Sequence, residues 1–141
     1  MKKATDALAA VAATLDIDFI RSLSLTEADF DNHNRNSDKA LMVYNGASNI
    51  DRVLGAGVQT VDTVTCEIYF LTKATTKDMK ALDVDALLAI TQRLVDKTYA
   101  ELNAQLAQDI EAYTMEGVSV LTDMFVGYRV EMGLSFYNDG C

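Results

Sequence analysis

Apolar residues recur at helical spacing at the start of the chain. Ala4, Leu8, Val11, Ala12 and Leu15 form one stripe with Lys3 and Asp6 off it, predicting a helix of about three turns. The stripe is mostly alanine, so the helix needs a close neighbour to be stable. Ile17, Phe19, Ile20, Leu23 and Leu25 follow with mixed period and define no element. Thr26 to Asp38 is polar with turn-forming residues throughout and predicts a loop, 26–38. Lys39 to Tyr44 (KALMVY) has strand composition, and Asn45-Gly46 is a strong turn signal. Residues 46–60, with Gly46, Gly55 and Gly57, predict a flexible connection long enough to be a candidate functional loop.

Val61 to Thr72 (VDTVTCEIYFLT) alternates. Val64, Cys66, Ile68 and Phe70 share one face, while Thr63, Thr65, Glu67 and Tyr69 share the other, as in a strand buried on one side. From Asp83 to Tyr113 there is no glycine, and Val84, Leu87, Leu88, Thr91, Leu94, Val95, Thr98, Leu102, Leu106 and Ile110 repeat at spacings of three and four. One long central helix is predicted, with Asp83 and Asp85 in its first turn and a break possible near Asn103. Glu116-Gly117 closes the region. Val118 to Val126 reads as a short apolar strand. Tyr128, Val130, Met132, Leu134 and Phe136 then alternate with Arg129, Glu131, Gly133, Ser135 and Tyr137 in an amphipathic strand, followed by a short polar tail, 138–141.

Strands outnumber the helices that connect them. The expected class is therefore α+β: a single antiparallel or mixed sheet of about four strands, with the short N-terminal helix and the long central helix packed on one face. The length, 141 residues, suits a single domain, 1–141.

Composition narrows the function. With 21 acidic and 12 basic side chains the formal net charge is −9, the wrong sign for a stand-alone nucleic-acid binder or for docking on an anionic membrane. Asp6 interrupts the apolar region a secretory signal needs and Asp16 and Asp18 follow it, and no apolar run is long enough to span a bilayer. Two cysteines make no disulfide framework: Cys66 lies on an apolar strand face and Cys141 is the last residue, which fits a reducing compartment.

Catalytic chemistry finds little support. The single histidine, His33, lies between Asn32 and Asn34 in the polar loop and reads as a solvated side chain rather than an ordered base. Asp29, Asp31 and His33 with Asn34, Asn36 and Asp38 bring oxygen ligands together. An EF-hand loop, however, needs glycine at its sixth position and glutamate at its twelfth, where counting from Asp29 finds Asn34 and Ala40. Gly55-Ala-Gly57 begins like a dinucleotide fingerprint, but the third glycine is missing and a strand follows instead of a helix. Glu67 and Glu131 form a carboxylate pair if their strands are neighbours; a solvated or inter-subunit sheet face is the plainer reading. Cys66 behaves as a small core residue. No catalytic residue, cofactor or metal is therefore expected.

The order of elements resembles a known family. A short helix leads to the LMVYNGA strand (Leu41 to Ala47), a glycine-bearing loop and a long strand, Val61 to Leu71. A central helix follows, and the chain closes on the strand Gly127-Tyr-Arg-Val-Glu-Met-Gly-Leu-Ser-Phe-Tyr137. This pattern is similar to the tail-terminator and head–tail connector proteins of tailed bacteriophages. It differs in a longer central helical stretch and a more polar 26–38 loop. The resemblance implies a structural virion protein, made in the host cytoplasm, that forms a ring of six or twelve copies in the head–tail neck. Such a ring contacts portal or connector and tail proteins and lets DNA pass through without specific binding. It implies no enzyme activity. The candidate interface is Asn45, Gly46, Leu54, Gly55 and Gly57 with Arg129, Glu131, Tyr137 and Cys141, and poor order is expected in parts of 26–38 and 46–60 of an isolated subunit. The rival reading is a small-ligand or regulatory binding module on the same scaffold.

Overall fold

A computed structural model describes residues 2–21, 39–53, 60–73, 81–107, 109–120 and 125–138. They form an α+β unit of two helices and five strands: α1 (Lys2–Thr14), β1 (Asp18–Arg21), β2 (Leu41–Val53), β3 (Thr60–Lys73), α2 (Ala81–Asn103), β4 (Tyr113–Val120) and β5 (Phe125–Asn138).

The stripe of α1 is buried as its spacing predicts, with Ala4, Ala7, Leu8, Val11 and Ala12 inward. The helix ends in a reciprocal cap. Asp16 N–H donates to Ala13 O (3.2 Å) and Ile17 N–H reaches back to Ala12 O (3.0 Å). This geometry needs a left-handed residue, and Asp16 supplies it at φ 56°. The turn delivers the chain into β1, which pairs in parallel with the first residues of β2. The mixed spacing of Ile17 to Leu25 concealed this strand, because four residues are too few for a period to show.

The sheet corrects the turn expected at Asn45-Gly46. The strand runs on from Leu41 to Val53, with register shifts against β3 between Tyr44 and Gly46 and between Ala47 and Asn49. These are β-bulges, and Gly46, at φ 108°, provides the backbone that the first one requires. The Asn-Gly signal for a positive φ was real, but the chain spends it on a bulge instead of a reversal. Residues 46–53 of the expected connection are therefore strand, while 54–59 and the 26–38 stretch lie outside the described residues.

β3 pairs antiparallel with β2 on one side and β5 on the other, and β4 pairs with β5, giving the order β1-β2-β3-β5-β4 in one mixed, open sheet. The described strands number five against the expected four or so. The difference is β1. In the final third the bounds move but the count does not: Val118 to Val126 is not one strand. Its first part belongs to β4, which takes in Glu116-Gly117, and Phe125 already opens β5.

Both helices pack on the same face. Leu8 and Val11 of α1 and Val95 and Leu102 of α2 join Met42, Tyr44, Cys66, Ile68, Phe70, Val130, Met132 and Leu134 in one core. Burying each such large side chain contributes about 1.5–3 kcal/mol. A buried polar link also ties α2 to the sheet: the Thr72 hydroxyl donates to Val126 O (2.9 Å) and lies 3.4 Å from the Thr91 hydroxyl. α2 stops at Asn103, at the break expected there. The residues beyond it are not helical, although Leu106 and Ile110 keep the apolar spacing and pack on the core. Asn103 Oδ1 accepts from Ile110 N–H (2.9 Å), and Ala107 N–H donates to Ser135 O (2.9 Å), which binds this segment to β5.

The opposite face of the sheet is divided. Leu41, Val43, Leu71 and Phe125 form a second buried cluster. Beyond Tyr69 the same face becomes polar with Glu67, Thr65 and Thr63, as their alternation predicts. Gly127 belongs to the close approach of β5 to β3: a Cβ there would lie 1.8 Å from Phe70 O.

Candidate functional site

The polar half of the second face centres on Arg129. Glu67 and Glu131 are directly opposed on β3 and β5, so the condition for a carboxylate pair is met. Between them the Arg129 guanidinium donates to Glu67 Oε2 (2.8 Å) and Glu131 Oε2 (3.4 Å), and Glu116 on β4 approaches it to 3.8 Å. Glu67 is also held from its other side, since Asn45 Nδ2 donates to its Oε1 at 3.1 Å. Asn45 continues the alternation of Leu41 and Val43 and so lies on this face, at the bulge between Tyr44 and Gly46.

Three residues of the expected interface, Asn45, Arg129 and Glu131, are thereby brought together around a fourth, Glu67. Gly46 lies beside them but faces Arg21, whose guanidinium nitrogens would lie 3.4 and 3.6 Å from a Cβ at Gly46. Tyr137 stands apart at the far end of β5 and is half exposed. Leu54, Gly55, Gly57 and Cys141, together with His33 and the acidic positions Asp29 and Asp31, lie outside the described residues.

The electrostatics of the cluster are those of a held anion. Burial pushes the Glu67 carboxyl up, but hydrogen bonds from Arg129 and Asn45 and the positive charge of Arg129 outweigh it, leaving the group below its ordinary value. Tyr69 is pushed up by its own burial and then by the Glu67 charge. A carboxyl so depressed is ionised near neutral pH and offers no proton there. Asn45 Oδ1 is buried with no partner, a cost that the amide's charge-assisted bond to Glu67 offsets.

A second ion pair escaped the sequence. Asp62 is buried at 3% exposure and accepts two hydrogen bonds from Arg52, at 2.6 and 3.0 Å, across β2 and β3. Its signal was present: Asp62 occupies the same alternation as Val64, Cys66 and Ile68, so a carboxylate stood in an apolar series. Its partner was hidden because Arg52 fell in a segment expected to be loop.

Cys66 is confirmed as a core residue. Its thiol is buried, lies 3.7 Å from the Tyr44 hydroxyl, and is pushed up to about 11 by burial, with the Tyr44 hydrogen bond opposing. Such a thiol is a poor nucleophile.

Beside the Arg129 cluster, where β4 begins, Gly133 leaves a shallow groove. Two adjoining depressions, of about 300 and 350 Å³, share Ala112 and Gly133 in their walls. Among the described residues no group of three or more His, Cys, Asp or Glu is placed to hold a metal ion, and no helix is long and apolar enough to cross a membrane. No protein-family model matches the chain, and no curated protein matches it.

Proposed function

We propose that the protein is a structural assembly subunit of the tail-terminator or head–tail connector type, building a ring of six or twelve copies in a bacteriophage neck. The observation that carries this reading is the exposed end of the sheet. β1 covers only the first residues of β2, and from Gly46 to Val53 the outer side of β2 has no strand partner among the described residues. Asn49, Ile50, Asp51 and Arg52 are exposed there, and the two most exposed large apolar side chains of the sheet, Ile50 and Tyr137, mark this same end at 51% and 48%. An open strand edge beside exposed apolar residues supports a heterologous contact, which closes into a ring when its rotation allows.

The net charge of −9 per chain fits a conduit. Summed around a ring, it repels the DNA passing through, so that the strand slides without sticking. This requires acidic side chains to exceed Lys and Arg on the lumen.

Sedimentation velocity of the wild type and of Ile50→Asp tests the contact. The wild type sediments as a ring, and the variant, whose substitution lies on an exposed strand position, sediments as a smaller folded species with an unchanged circular-dichroism spectrum. An Ile50→Asp protein that assembles like the wild type removes this edge from the reading.

A further inference from the structure

We propose that the outer edge of β4, with the groove at its N-terminal end, takes an extended lysine- or arginine-bearing segment of a partner protein by strand addition. β4 pairs with β5 on one side, and among the described residues nothing pairs with its other side. Thr114, Glu116 and Gly117 along it are exposed. Proteins usually blunt such an edge by shortness, charge, proline or a bulge. β4 has only the charge of Glu116: it is 8 residues long, contains no proline, and its register with β5 runs unbroken from Tyr113↔Met132 to Val120↔Phe125. Its unpaired amide and carbonyl groups are a template for another strand.

Charge selects the occupant. Asp109 and Glu111 lead into the strand and Glu116 lies on it, all three exposed, with Glu131 behind. Arg129, the cation of this corner, is already held by Glu67, Glu131 and Glu116. Past Tyr113 the β4–β5 pairing ends and the groove begins. Its larger depression, about 350 Å³, is lined by Thr63, Gly133 and Ser135 of the sheet and by Asp109, Glu111 and Ala112 of the segment that leads into β4. An ammonium or guanidinium needs several oxygen acceptors and negative charge, and this lining offers both. The added strand supplies backbone hydrogen bonds along β4, and one basic side chain enters the recess.

A second copy of the chain fits this edge poorly. β4 bears one charged residue, Glu116, and no basic one, so a second β4 brings no counter-charge to the acids of this edge. The open half of β2 carries Asp51 beside Arg52, whose guanidinium is engaged by Asp62. The inference rests on the assembly reading only in taking the ligand to be another structural protein, so peptide capture and ring formation are measured separately.

The test uses the full chain and two fluorescein-labelled peptides of equal length, one alternating valine with lysine and the other valine with glutamate. In fluorescence anisotropy the lysine peptide binds and the glutamate peptide does not, and hydrogen exchange slows at the amides of 113–120 when the lysine peptide is present. Glu111→Lys weakens binding by about tenfold or more, whereas Asp85→Lys, the same charge change on the exposed side of α2, alters it less than about twofold. Equal loss in both variants means diffuse attraction to an acidic protein and overturns the proposal. Binding without protection of 113–120, or no difference between the peptides, overturns it as well.

Discussion

Glu67 and Glu131 face each other across two neighbouring strands, and the guanidinium of Arg129 donates to both, at 2.8 and 3.4 Å. Two like charges in direct register would weaken the pairing of β3 with β5. Arg129, next but one to Glu131 along β5, converts that repulsion into a bridge.

Removing the bridge should expose the repulsion and its pH dependence. Arg129→Met is expected to lower stability at pH 7 by about 1–3 kcal/mol, because a partly buried carboxylate loses its charged donor. In the wild type the Glu67 carboxyl is held below its ordinary value. Its contribution is therefore present above the unfolded carboxylate pKa, about 4.3, and is lost as pH falls through the folded value. In the variant the Asn45 hydrogen bond is left to oppose burial without the Arg129 charge, so Glu67 takes up a proton earlier and the deficit shrinks toward pH 5. Urea unfolding of both proteins at pH 7 and pH 5 measures this; an equal deficit at the two values contradicts it.

Gly127 leaves no room for a side chain. Its Cβ would meet Phe70 O at 1.8 Å and Phe70 C at 2.8 Å, and both are backbone atoms that cannot rotate away. Gly127→Ala should separate β5 from β3 and cost about 3 kcal/mol or more, at or beyond the usual range for overpacking. Gly117→Ala, where an added Cβ meets nothing within 4 Å, is the control in thermal unfolding and should differ little from the wild type.

Asp16 closes α1 in a conformation that glycine adopts without strain, and it places a negative charge at a helix C-terminus, where the dipole disfavours it. Asp16→Gly is expected to raise stability by about 0.5–1 kcal/mol, although it removes the exposed ion pair with Lys39. Chemical denaturation of the variant checks the sign.

Cys66 should resist thiol reagents in the folded protein. In a Cys141→Ser background, alkylation is expected only under denaturing conditions. Burial raises the thiol from its ordinary 9.0 to about 11, and burial raises the neighbouring Tyr44 phenol too. The folded state therefore favours the neutral forms. That stability is complete below the unfolded values and is lost as pH rises from about 9 toward 11. A melting temperature that stays level across this interval would contradict the buried assignment.

Particular residues show how far the sequence could be read. The alternation in β3 and β5 placed Cys66 inside and Glu67, Arg129 and Glu131 on the polar face, because one face is apolar and the period of two has no competitor. The end of α2 at Asn103 was visible as a possible break. The second half of β2 was not visible, because two bulges interrupt its alternation: between the register shifts the period is inverted, and only after the second do Ile50 and Arg52 return to the face that Met42 and Tyr44 occupy. That shift also hid the Arg52–Asp62 pair. The cluster around Arg129 joins β2, β3, β4 and β5, so it depends on a strand order that local spacing does not encode.

The central claim is that this chain assembles as a ring. Native mass spectrometry of the wild-type protein over a wide concentration range tests it most directly. The account predicts a species at six or twelve times the 15.4 kDa chain mass, growing as concentration rises and without a ladder of open intermediates. A monomer mass at every concentration would contradict it.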